Sequence, residues 1–188
     1  YSILDEQGSA YFGFTQQEMD QLLNNCHLNQ YRADIKKWYD GYLFGQVEVY
    51  NPWSVVNYVE ACNHNPEALP LPYWSNTSSN SIVRSLVERA DSGVRQEIEA
   101  LIEGKTILKP IHEDITYEDI DSSQDNLWNF LFFTGYLKKI CEKQEEEIRY
   151  IEMAIPNSEV RYIYKTTVLR WFEEKIEKKD LSLLYKSV

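Results

Sequence analysis

Three cysteines, three histidines, seven glycines and six prolines in 188 residues exclude several kinds of protein before any motif is sought. Cys26, Cys62 and Cys141 are an odd, widely spaced set in a chain long enough to build a core, so no disulfide framework is expected. A reducing compartment, the cytoplasm, is the expected location. No glycine-rich loop with Lys-Ser/Thr occurs, so the chain has no phosphate cradle of its own. A serine elbow, a His-Glu-x-x-His helix and a Cys-x-x-Cys pair are also missing, and a self-sufficient active site is not expected. Cys26-His27 and Cys62-x-His64 are too closely spaced for structural zinc, whose ligands usually stand about two to four residues apart, and read as ordinary helix-end residues. No apolar run approaches the roughly 20 residues of a membrane span, and no signal peptide is expected. The chain opens at Tyr1 without an initiator Met, so a piece of a longer protein is expected.

Positive charge is the other scarcity. Nineteen basic residues stand against 30 acidic ones, for a net charge of −11. A domain that neutralises phosphates carries the opposite sign, so general affinity for nucleic acid or anionic membrane is disfavoured. The acidity is uneven: ten acids face three bases between His112 and Glu147. Within that stretch Glu113, Asp114, Glu118, Asp119, Asp121 and Asp125 are carboxylates of the kind that hold hard cations. They lack the glycine turn and alternation of an EF-hand loop, so they read as a solvated loop and no metal site is assigned.

What the chain has in excess is aromatic side chains, 14% of all residues from 14 Tyr, 7 Phe and 5 Trp. The 43% hydrophobic and 26% charged shares are those of an ordinary globular protein. Thr15-Gln16-Gln17-Glu18 has capping-box spacing and opens a helix with Met19, Leu22 and Leu23 on one face. A second helix is predicted over 29–39, stopped by Asp40-Gly41, and a hairpin over 42–50 around Gly45-Gln46. Asn51-Pro52 starts a third helix through about Ala61. Pro66, Pro70 and Pro72 mark a crossover and a subdomain boundary near residue 70. Helices over 80–90 and 92–103, a strand over 105–111, and an apolar helix over 127–134 capped by the Ser122–Asp125 run and ended by Gly135 follow. A hairpin then runs over 136–141 and 148–155, with 142–147 as its acidic turn, before a terminal helix over 159–178.

Helix, helix, strand, helix, hairpin is the order of a winged helix, although a bundle with one decorating hairpin gives a similar pattern. In winged-helix geometry Leu127-Trp128-Asn129-Phe130-Leu131-Phe132-Phe133 would face the major groove, yet it has no Arg or Lys. Glu145-Glu146-Glu147 at the wing tip would face phosphates. Both oppose duplex binding. The terminal helix, with Arg161, Lys165, Arg170, Lys175, Lys178 and Lys179 among glutamates, reads as a salt-bridged surface helix.

Five strings remain: WYDGYLFG at 38–45, YNPWSVVNY at 50–58, YWSNTSSN at 73–80, LWNFLFFTGYL at 127–137 and IPNSEVR at 155–161. Aromatics in such numbers pack cores, but several of these stand beside Gly, Pro and Asn in turns, where a ring meets another surface or a ligand. In order and spacing the strings resemble the bacterial AAA-ATPase-like family, related to archaeal-type P-loop ATPases and often fused to a PD-(D/E)XK nuclease-like domain. The resemblance implies a mainly α fold with small β-hairpins. It divides the chain into a helical lid-like subdomain over 1–70, a winged-helix-like subdomain over 71–178 and the start of a linker over 179–188.

It further implies that the ATPase core, with its ATP and magnesium, lies upstream and the nuclease-like domain downstream. This chain would then be a non-catalytic lid and winged helix that closes on nucleotide and couples it to an effector. Gly41, Tyr42, Asn51, Pro52 and Trp53 best match the lid turn that packs over nucleotide. Backbone at Gly41 can approach a ligand closely, and Tyr42 or Trp53 can stack on a base. The other reading is a protein-interaction module with no nucleotide role.

Overall fold

The computed structural model describes residues 11–76, 83, 84, 88, 91–112, 123–168 and 170. Helices alternate with two small antiparallel sheets, and two apolar clusters form the interior.

The first half starts with α1 (Gln16–Asn25), where Thr15 and Glu18 make both bonds of the expected capping box. Met19 and Leu23 point inward from it. The predicted second helix is split: a 3-10 turn at Asn29–Tyr31 leads into α2 (Arg32–Tyr39). Its end follows expectation, with Asp40 extended and Gly41 at φ +94°. β1 (Tyr42–Phe44) and β2 (Val47–Val49) then pair as a hairpin whose turn uses Gly45 at φ +56°. α3 (Pro52–His64) begins at the predicted Asn51-Pro52 and runs one turn longer than the sequence suggests. Its buried face of Val55, Tyr58, Val59 and Cys62 joins Met19, Leu23, Ile35 and Tyr39 in the first cluster. Cys26 caps the end of α1 and His64 folds back onto the Glu60 carbonyl of α3, so these pairs are the helix-end residues the spacing implied. Among the described residues no three His, Cys, Asp or Glu side chains gather as a metal group.

The proline-rich crossover is not a loose tether. Tyr31 Oη donates to the Pro66 carbonyl at 2.7 Å, Tyr58 Oη to Ala68 at 3.2 Å and Tyr39 Oη to Leu71 at 2.9 Å. The strap ends in a 3-10 turn, Tyr73–Asn76, where packing changes hands: Tyr73 joins the first cluster and Trp74 the second.

Most of the predicted 80–90 helix lies outside the described residues; Val83, Arg84 and Glu88 are helical within it. α4 (Ser92–Ile102), capped by Asp91, presents Val94, Ile98 and Leu101 to the second cluster. β3 (Ile107–Pro110) pairs with β5 (Ile148–Ala154), and β5 with β4 (Lys138–Glu145), giving an antiparallel sheet in the order β3-β5-β4. Between them lies α5 (Gln124–Phe133), capped by Ser123 and ended by Gly135 at φ +86°. Its one buried amide, Asn129, accepts from the His112 N–H and donates to the Pro110 and Asp125 carbonyls, fastening helix to strand. Of the acidic loop over 112–125, residues 113–122 lie outside the described part.

The β4–β5 hairpin departs from the sequence reading. Glu142 to Glu145, expected in the turn, continue β4 and pair with Ile148 to Ile151, leaving only Glu146 and Glu147 at the tip. Charged residues tolerate this edge because Arg149 Nε reaches Glu142 across the strands at 2.6 Å. Ile151 and Met153 are the inward-facing pair. α6 (158–168) follows, Arg170 is helical beyond it, and the rest of the continuation predicted to Lys178 lies outside the described residues. Among the described residues no helix is long and apolar enough to cross a membrane.

Candidate functional site at the seam between the two clusters

The strings that stood out in the sequence lie far apart along the chain and meet at one place. Asn51 caps α3 by accepting from the N–H groups of Trp53 and Ser54, which starts the helix with Ser54 turned inward. Asn157 does the same for α6: its Oδ1 accepts from Val160 N at 3.0 Å. That leaves Nδ2 free to donate to the Asp40 carbonyl at 2.9 Å, so one side chain caps α6 and holds the end of α2. Beside it the backbone of Gly41 runs so close to α6 that a Cβ would lie 2.6 Å from the Pro156 carbonyl oxygen. Only glycine permits both that approach and its positive φ.

Tyr42, the next residue, crosses to the second cluster. Its ring lies in contact with Gly135, whose added Cβ would stand 3.4 Å from it, and meets Trp74 edge-on at 6.2 Å. Trp74 in turn stacks on Tyr136 with centroids 4.7 Å apart. The Tyr42 hydroxyl is buried near Asn51 and Asn157 without a partner at hydrogen-bonding geometry among the described residues, and burial holds its pKa above the phenol range.

At the centre of the seam is Glu159, in the first turn of α6 and fully buried. Ser54 Oγ lies 2.8 and 2.9 Å from its two carboxyl oxygens, and the Trp74 N–H donates to one of them at 2.9 Å. Among the described residues no cation pairs with it. Desolvation therefore outweighs those bonds and pushes its pKa from 4.5 up to about 7. Asp40 is buried as well, and the same cause raises its pKa.

A pocket of about 230 Å³ opens beside the seam, walled by Phe44, Pro52, Trp74, Phe133 and Gly135 and floored by Tyr42. Among the described residues no charged side chain lines it, so it suits a planar or apolar group and offers no described cation to a phosphate. Of the five residues assigned from the resemblance, Tyr42, Asn51 and Pro52 line this pocket. Gly41 lies behind it, against Pro156, and Trp53 points to solvent at 59% exposure. Sequence reasoning assigned no site role to Ser54, Trp74, Gly135 or Glu159, although each lies within one of the five strings.

No family model matches the chain, and neither does any curated protein or solved structure.

Proposed function

We propose that this chain is the lid and winged-helix region of an AAA-like ATPase, closing on nucleotide held by an upstream core and coupling its state to a downstream nuclease-like effector. The observation that supports it most is the convergence of the five strings on one seam beside an apolar pocket. The order α4, β3, α5, β4, β5, α6 is in keeping with a winged helix. In this reading the pocket receives the base of the nucleotide between Tyr42, Phe44 and Trp74. The uncharged lining leaves the phosphates and magnesium to the upstream core, so the chain alone is not an enzyme. Three free cysteines accord with a cytoplasmic setting.

Nucleic acid is not a partner of this region in this reading. The face of α5 that would read a groove is spent on the core through Trp128, Leu131 and Phe132, and the hairpin carries Glu146 and Glu147 at its tip with Glu145 at the end of β4.

The test is nucleotide affinity and turnover of the full-length protein with Phe44→Ala, which removes a half-buried pocket wall. Loss of one ring from a base-stacking slot is expected to weaken ATP binding about tenfold. Unchanged affinity and turnover would overturn the reading. A second reading, a protein-interaction module, draws on Trp53 and Val56, 59% and 51% exposed one turn apart on α3. Partner capture that is equal with and without ATP and lost in Trp53→Ala would favour it.

A further inference from the structure

The nucleotide reading leaves the buried acid of the seam without a role. We infer that Glu159 is a proton-operated latch between the two halves: protonated, it closes the seam between α3 and α6, and ionised, it loosens it.

The geometry serves the neutral form. The Trp74 N–H donates to Oε1 at 2.9 Å, and Ser54 Oγ stands 2.9 Å from Oε2. A proton on Oε2 can be donated to that hydroxyl, which both donates and accepts, so the protonated carboxyl is satisfied without help. The ionised form has the same partners, with the Tyr73 backbone beside them, and still a charge to hold in a site closed to water.

Among the described residues no cation packed around it compensates. The titratable groups facing Glu159 are Tyr39 at the end of α2, Tyr42 on β1 and Tyr73 in the 3-10 turn, all phenols with pKa raised by burial. They stay neutral through the physiological range and supply no positive charge. The influence favouring the anion is that of the Trp74, Ser54 and Tyr73 hydrogen bonds together with its place in the first turn of α6. That influence is smaller than the desolvation cost, as the shift toward neutrality shows.

The sign follows from the raised value. The folded state holds the proton more tightly than the unfolded chain, so the latch contributes fully below about pH 4.5 and loses its contribution as pH climbs to about 7. Above that its effect is constant.

The experiment compares this chain with its Glu159→Gln variant by amide hydrogen exchange at pH 5.5 and pH 8, corrected for intrinsic rates. Glutamine keeps both bonds and removes the titration. In the wild type, exchange at 50–55, 73–76 and 156–161 is expected to rise about thirtyfold more at pH 8 than exchange at α1, since the climb from pH 5.5 to about 7 spans roughly 1.5 units at a factor of ten per unit. The glutamine variant is expected to hold low-pH protection at both pH values. The same pH response in both proteins would assign it to another group, such as Asp40, and overturn the latch. So would a variant less protected than wild type at pH 8. Should the variant fail to fold, carbon NMR of the wild-type Glu159 carboxyl decides: a midpoint near 7 supports the latch, and one below 5 overturns it.

Discussion

The two clusters are built from the same kind of residue and treat its polar atoms differently. In the first, Tyr31, Tyr39 and Tyr58 are sunk in the core, yet each hydroxyl reaches a carbonyl of the 65–72 strap. In the second, Trp128 Nε1 and Tyr164 Oη are buried with no hydrogen-bond partner among the described residues. The aromatic excess thus has two uses. On the first side rings fill space and their hydroxyls fasten a proline-rich crossover that has no ladder of its own. On the second, the sheet and α5 already satisfy the backbone, and the rings serve as volume.

The sharpest way to break this comparison is at the seam, on which both clusters lean. Gly41→Ala forces a side chain into a positive-φ position and against the Pro156 carbonyl. Strain and displacement together are expected to cost about 3 kcal/mol or more. Denaturant unfolding followed by fluorescence should also split into two transitions, because the halves lose their common closure. Next in size is Tyr39→Phe. Its hydroxyl donates to the Leu71 carbonyl and accepts from the Leu71 N–H at 3.1 Å, so its loss strands two strap groups. A loss of about 1–2 kcal/mol in urea unfolding is expected, with raised exchange confined to 66–72. The smallest effect belongs to the other side. Tyr164→Phe removes a hydroxyl that bonds to none of the described residues and should leave stability within about 0.5 kcal/mol, or raise it. Equal costs for the two Tyr→Phe changes would erase the distinction between the clusters.

Local features were legible in the sequence. The capping box at Thr15, the glycine stops at Gly41 and Gly135, and the Asn51-Pro52 helix start are decided within a few residues. The β4–β5 turn was misread because a run of glutamates looks like a loop until Arg149 is seen opposite Glu142. Glu159 was beyond local reading for a different reason. An acid in the first turn of a helix is an everyday surface choice, and nothing near it in sequence announces that Ser54 and Trp74 will close over it. Trp53 differs in the opposite sense: its neighbours form the pocket and the seam, but helical rotation from the Asn51 cap turns it to solvent. The strings around these residues do come together in space, with Tyr42, Asn51 and Pro52 lining the pocket beside the seam and Trp74 sharing it.

The bond from Asn157 to the Asp40 carbonyl joins residues 117 positions apart. During translation the first half therefore leaves the ribosome long before its closing partner exists. At about 5–20 residues per second, the wait is on the order of ten seconds. Through that interval Tyr42 and the rim of the pocket have no second cluster to lean on. The nascent chain carries a temporary apolar face there until α6 is made.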